Sequence, residues 1–281
     1  MTNPEMPPPI VDSNWLQSQL MQRPDDVITC DVRSTMSGAD SANDFLGRHL
    51  PRARLVLLES ALAVEPAGTE GRHPLPTPAA FADALGALGI GNDVTVVAYD
   101  NQGGAFAGRL VWMLRIIGQP AALLDGGTDA WSGPMETGPG ATQSVERETV
   151  EWPLDAIADA DQVVDHIATG GVVIDSRAAE RYAGEIEPID AVAGHVPGAI
   201  NLVFGENLGP DGRFRAPAQL AERFSEARTD PRAIVYCGSG VTACHNALAM
   251  EYAGLELPRV YVGSWSGWSF DTNRPVATGG N

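Results

Sequence analysis

An α/β fold, present twice, is predicted by three features of the 281-residue chain: short β-branched apolar runs, helix-like stretches between them, and the recurrence of both at a near-constant offset. Val27-Ile-Thr-Cys-Asp-Val-Arg33 is answered by Val172-Val-Ile-Asp-Ser-Arg177, each reading as a buried parallel strand with an acidic residue near its end. Gly47-Arg-His-Leu-Pro-Arg-Ala53 is answered by Gly194-His-Val-Pro-Gly-Ala199. Val94-Thr-Val-Val-Ala-Tyr-Asp100 returns as Ala233-Ile-Val-Tyr-Cys237, and Leu124-Asp-Gly-Gly-Thr-Asp-Ala-Trp131 as Val262-Gly-Ser-Trp-Ser-Gly-Trp268. Asp31 to Asp175 is an offset of 144, while Asp100 to Cys237 and Trp131 to Trp268 are both 137. Four blocks in step indicate duplication.

Helices are expected between the strands. Residues 77–89 open on Thr77 as cap with Pro78 in the first turn, and close on Gly89. Residues 104–118 carry Phe106, Leu110, Leu114 and Ile117 at helical spacing, and 217–227 and 241–254 match these two in the second half. Alternating strands and helices imply a parallel sheet covered on both faces, once per half. The small, polar stretch 138–147 reads as the connection. This gives a first domain over 10–137, a linker over 138–158 and a second domain over 159–279. The length agrees, at about 150 residues per domain.

Composition excludes several function classes. With 36 acidic and 18 basic side chains the net charge is −18, which argues against a nucleic-acid or anionic-membrane partner. No apolar run approaches the roughly 20 residues of a bilayer span. The N-terminal residues lack the basic and apolar regions of a signal peptide, so a reducing cytoplasm is expected. Three cysteines (Cys30, Cys237, Cys244) form no Cys-x-x-Cys pair, and the five histidines show no metal-binding spacing.

Function should sit where the halves diverge. The segment Ile234-Val-Tyr-Cys-Gly-Ser-Gly-Val-Thr-Ala-Cys-His245 delivers Cys237 from a strand, frees the backbone with two glycines, and starts a helix near Val241. Ligands in open α/β sheets bind at strand carboxyl ends against helix N-termini. A thiol there faces backbone N–H groups and the positive end of the helix, both favouring thiolate. The bland alternative is a buried structural cysteine. The Gly-Ser-Gly context favours the nucleophile.

Together, Asp175-Ser-Arg177, Arg181-Tyr-Ala-Gly-Glu-Ile-Glu-Pro188, Gly194-His-Val-Pro-Gly-Ala199, Cys237-Gly-Ser-Gly-Val-Thr242 and Gly263-Ser-Trp-Ser-Gly-Trp268 make the chain resemble the tandem-domain rhodanese sulfurtransferases, from Asn14 to Gly279. The resemblance implies two rhodanese-like domains, with the catalytic Cys in the second. Asp100 stands at the Cys position of the first, which is therefore expected to be non-catalytic. It also implies a ping-pong reaction without metal or organic cofactor: Cys237 takes the sulfane sulfur of a small donor as a persulfide. A thiol acceptor, thioredoxin-like or smaller, or cyanide then removes it. Backbone donors from Gly238, Ser239, Gly240, Val241 and Thr242 are expected to hold the anionic persulfide.

Gly238 and Ser239 after the Cys match the 3-mercaptopyruvate branch, where thiosulfate enzymes typically carry basic residues. That branch implies a serine-protease-like triad of Ser239, His73 (in Arg72-His-Pro-Leu-Pro76) and Glu59. Glu59 departs from the usual Asp. Arg181 falls on the substrate arginine of the family. The branch often has a second arginine a few residues on, where this chain has Ile189-Asp190, in a Glu-Pro-Ile-Asp stretch met in bacterial enzymes labelled thiosulfate sulfurtransferases. Thiosulfate:cyanide transfer is thus the alternative. Both donors are anions, so a local positive pocket around Arg181 is expected to overcome the bulk charge.

Other residues are set aside. His195 has His49 as its counterpart in the non-catalytic half, which points to a shared structural role. Arg177 follows the strand aspartate and suits an ion pair. Cys30 reads as core, and Cys244 as helix packing, with redox protection of Cys237 a minority reading. Trp268 reads as scaffold because Trp131 matches it. A Cys-x5-Arg phosphatase is disfavoured because Ala243 occupies the arginine position, without which nothing clamps a phosphoryl group. A non-catalytic binding module is disfavoured by the retained Cys237 loop.

Overall fold

The computed structural model describes residues 5–35, 41–140 and 142–280. It divides into two compact units, one of Met1–Val64, Pro76–Trp152 and Pro210–Phe214, the other of Glu65–Leu75, Pro153–Gly209 and Arg215–Asn281.

The first unit holds a five-stranded parallel sheet: β1 (Ile10–Val11), β2 (Val27–Arg33), β3 (Arg54–Leu57), β4 (Thr95–Tyr99) and β5 (Ala121–Leu124), in the order β1-β5-β4-β2-β3. Its helices are α1 (Ser13–Gln22), α2 (Ser41–Gly47), α3 (Pro78–Ala87), α4 (Ala107–Ile116) and the short α5 (Gly127–Ala130). Every residue of β4 and β5 is buried, as a sheet covered on both faces requires. Val11, Leu16, Val97, Tyr99 and Trp131 share one core cluster.

The second unit repeats the permutation. Its strands are β6 (Ile157–Ala158), β7 (Val173–Asp175), β8 (Ile200–Asn201), β9 (Ile234–Tyr236) and β10 (Arg259–Tyr261), all parallel and ordered β6-β10-β9-β7-β8. Its helices are α6 (Ala160–Ala168), α7 (Ala179–Ala183), α8 (Pro217–Arg223), α9 (Thr242–Tyr252) and α10 (Ser264–Phe270). The expected α/β sandwich is therefore present once per unit, and β9, which delivers Cys237, is central. Among the described residues no helix is long and apolar enough to cross a membrane.

The helix starts shift in instructive ways. The stretch 104–118 becomes helical only at Ala107, because Gly103 and Gly104 take positive φ of 67° and 91°. The stretch 217–227 is α8 followed by a separate 3₁₀ turn at Ser225–Thr229. Residues 142–152 form no regular element. They run along the first unit: Val145 N donates to Gly86 O, Arg147 Nη1 reaches Gly91 O at 2.8 Å, and Trp152 Nε1 reaches Pro76 O.

Paired structural devices repeat with the fold. His49 Nδ1 lies 2.8 Å from Phe45 O with its ring stacked on Phe45, and His195 Nδ1 lies 2.7 Å from Tyr182 O, stacked on Tyr182. Trp131 donates to Pro134 O and Trp268 to Pro275 O. Arg33 pairs with Asp31, and Arg177 with Asp175. Cys30 is fully buried, and burial pushes its thiol up to about 12, so it stays a neutral core group.

Candidate active site

The loop between β9 and α9 (237–241) is held from behind by the start of α10. Cys237 N donates to Ser264 Oγ at 3.1 Å, and Trp265 N and Ser266 N donate to the carbonyls of Cys237 and Gly238, both at 2.9 Å. Ser264 is left-handed, with φ 53°, a conformation that strains a non-glycine residue and persists only where its surroundings hold it. Its hydroxyl in turn donates to Tyr261 O. Gly240 turns the loop at φ 74°. The Cys237 residue is 2% exposed, at the carboxyl end of the central strand and five residues before the first residue of α9. Behind it, Asn246 on α9 donates to Ser176 Oγ and Leu202 O, fixing the helix that carries the loop. Cys244 is fully buried with Sγ 3.3 Å from Gly240 O, consistent with helix packing.

The first unit shows what such a loop can cradle. Between β4 and α4 the loop is two residues longer, and Asp100 stands where β9 is followed by Cys237. Its Oδ1 accepts from Gln102 N and Gly104 N, and its Oδ2 from Phe106 N and Ala107 N, all at 2.8–2.9 Å. A fixed carboxylate thus sits among four backbone donors, as an anion at a nest and helix start should. Replacing Asp100 by Ala removes that acceptor from a 2%-exposed site and should cost about 3 kcal/mol, read as a lower urea midpoint for the first unit.

His73 belongs to the compact unit that carries Cys237, because Glu65–Leu75 packs there. The approach is close. A Cβ on Gly71 would lie 2.4 Å from Gly263 O, one on Gly267 2.4 Å from Thr69 O, and Arg72 N donates to Ser266 Oγ. His73 Nδ1 is 2.8 Å from Ser239 Oγ, and both residues are buried at 8% exposure. Glu59 lies in the first unit, on a single π-helical turn at Leu58–Leu62. Its Oε1 accepts from Ser34 Oγ at 2.5 Å and from Thr35 N at 3.0 Å. Burial raises its carboxyl, but the hydrogen bonds from Ser34 and Thr35 outweigh this and leave it below the ordinary range.

Arg181 flanks the loop, and so does a residue that sequence reasoning passed over. A Cβ built on Gly238 would lie 3.1 Å from Arg72 Nη2 and 3.3 Å from Arg181 Nη1. Arg72 appeared in the sequence only as part of a histidine motif. The expected positive pocket is not what these cations make. Arg181 Nη2 bonds Glu187 Oε1 at 2.7 Å and Asp190 Oδ2 at 3.3 Å, while Arg72 Nη1 pairs with Asp190 Oδ1. Burial raises the Asp190 carboxyl, opposed first by Arg72. Arg177, expected as an ion pair, bonds Asp175 at 2.6 Å, lies 3.3 Å from Glu187, and stacks 4.7 Å over the Trp265 ring. Among the described residues no group of three or more His, Cys, Asp or Glu side chains is placed to hold a metal ion.

A buried cysteine before a helix start, a His–Ser pair and two arginines suit transfer through a covalent sulfur adduct. The model of the rhodanese-like domain matches the chain twice, over 12–134 and 159–271. A protein of Pseudomonas aeruginosa named "Probable 3-mercaptopyruvate sulfurtransferase" is 42% identical over 264 residues, covering 90% of this chain and 93% of its own. A Mycobacterium tuberculosis protein named "Putative thiosulfate sulfurtransferase SseB" is 38% identical over 267 residues, covering 92% and 94%. The solved 3-mercaptopyruvate sulfurtransferase of Leishmania major superposes with a TM-score of 0.76 at 30% identity, covering 97% of this chain and 77% of that one. The chain belongs to the rhodanese family, with one rhodanese-like domain in each half.

Proposed function

We propose that the chain is a sulfurtransferase that takes the sulfur of 3-mercaptopyruvate onto Cys237 and passes it to a thiol or to cyanide. The observation that carries the donor choice is the 2.8 Å contact between His73 and Ser239. A thiosulfate donor leaves as sulfite and needs no proton relay, whereas mercaptopyruvate leaves as the enolate of pyruvate and gains from one. The Cys237 thiolate attacks the donor sulfur, the carbon–sulfur bond breaks, and the released pair is carried into the enolate. The proton of the donor thiol passes to that carbon, which gives pyruvate and leaves the Cys237 persulfide as an anion. Ser239 Oγ, positioned by His73, donates to the carbonyl oxygen that gathers the negative charge. Backbone N–H groups of 238–242 receive the persulfide anion, the role that the loop donors around Asp100 play for its carboxylate in the first unit. Arg181, with Arg72 beside it, receives the donor carboxylate. The acceptor thiol, small or thioredoxin-like, then attacks the outer sulfur.

The test compares kcat/KM for 3-mercaptopyruvate and thiosulfate with a dithiol or cyanide as acceptor. Mercaptopyruvate should win, and a tenfold preference for thiosulfate overturns the donor reading in favour of thiosulfate:cyanide transfer. His73→Ala should lower mercaptopyruvate turnover by roughly 10²-fold, the scale of a lost proton relay, and thiosulfate turnover much less. The resemblance assigns Glu59 to the same relay. Glu59→Gln should then show the same donor-selective loss, and a change in stability alone assigns Glu59 to the scaffold of its own unit.

A further inference from the structure

The two guanidiniums beside Gly238 are held by this chain's own carboxylates. Asp190 bridges them, one oxygen on Arg72 and the other 3.3 Å from Arg181 Nη2, and Glu187 takes up Arg181 Nε and Nη2. The Asp190 and Glu187 side chains are only 8% and 3% exposed, so solvent and salt screen them weakly. With the buried Arg177–Asp175 pair added, three guanidiniums face three carboxylates and the charges cancel. Nothing in this cluster favours a second negative charge on an incoming donor.

Resting on the reading that Arg181 receives the donor, we infer that Asp190 is a specificity-determining residue, whose carboxylate bridges Arg72 and Arg181 and selects sulfur donors bearing one negative charge over those bearing two. The donor's single charge shares the two cations with Asp190, whereas a dianion meets the same carboxylate with twice the repulsion. Asp190 sits on a short connection after Glu187, its N–H donating to Glu187 Oε1, so its place is fixed by the backbone and not by the donor. A Cβ on Gly238 would crowd both guanidinium ends, at 3.1 Å from Arg72 Nη2 and 3.3 Å from Arg181 Nη1, and the carboxylate that bridges the two arginines is Asp190.

Thiosulfate and methanethiosulfonate test this directly, since both carry a sulfane sulfur on a sulfonyl group and differ by one charge. Asp190→Asn should raise the ratio of kcat/KM for thiosulfate over methanethiosulfonate by about tenfold or more, the scale of one unit charge in a weakly screened site. Asp190→Glu should leave the ratio within about twofold. Asp190→Ser serves as a second neutral variant, and thermal melts identify which of the two is folded. Arg181→Gln is measured alongside. If it impairs both donors while the ratio stays unchanged in a folded neutral variant, the role of Asp190 is overturned alone. If Arg181→Gln leaves both donors unchanged, the Arg181 reading falls and this inference falls with it.

Discussion

Cys237→Ser should lower sulfur transfer by at least about three orders of magnitude for every donor and acceptor, because a serine hydroxyl neither attacks sulfane sulfur at neutral pH nor carries a persulfide. The expected loss is far larger than for any flanking residue, since in the proposed reaction the other groups orient or stabilise while this atom forms the bond. Mass spectrometry of donor-treated protein supplies the second reading: one added sulfur on the Cys237 peptide in the wild type, removed by cyanide, and none in the variant. Cys30 and Cys244 act as internal controls. Both are completely buried, and Cys244 Sγ is engaged with Gly240 O. A fully active Cys237→Ser variant, or the added sulfur on Cys244 instead, would show that the nucleophile has been misassigned.

The parts of this protein that were legible in its sequence are those written in local pattern. β-branched runs gave strands β2, β4 and β9, the Thr77-Pro78 start gave α3, and the recurrence of whole blocks gave two sheets of one topology. The paired histidines were readable for the same reason, because His49 and His195 occupy matching places in the two copies and each bonds a carbonyl in its own unit. Arg72 and Asp190 were not. Their ion pair spans 118 residues, a separation that local periodicity does not reveal. Asp190 registered only as the absence of an arginine. What the structure adds is that Asp190 pairs with Arg72 and lies 3.3 Å from Arg181 Nη2. His73 illustrates the limit differently. Its motif was recognisable, but its place beside Ser239 depends on Glu65–Leu75 packing against the start of α10, which glycines 71, 263 and 267 permit by leaving out side chains.

Arg177→Met should destabilise the second unit by about 3–5 kcal/mol, the largest stability effect expected from any single substitution in this cluster. The side chains of Arg177 and Asp175 are 1% and 0% exposed, and the guanidinium also bonds Gly194 O at 2.6 Å while covering the Trp265 ring. Removing it strands the Asp175 carboxylate in a site that water scarcely reaches, so the cost comes from the uncompensated charge more than from the lost contact. The duplicated partner provides the comparison. Arg33 pairs with Asp31 in the same way, but its side chain is 10% exposed and its second carboxylate, on Asp44, is 51% exposed, so Arg33→Met should cost distinctly less. Urea unfolding of the two variants, each followed with a probe in its own unit, measures the difference. Adding Asp175→Asn to Arg177→Met removes the stranded charge and should recover part of the loss, which a double-mutant cycle reads as coupling. Equal costs for Arg33→Met and Arg177→Met, or no recovery in the double variant, would mean that the buried charge is not what holds this corner of the fold together.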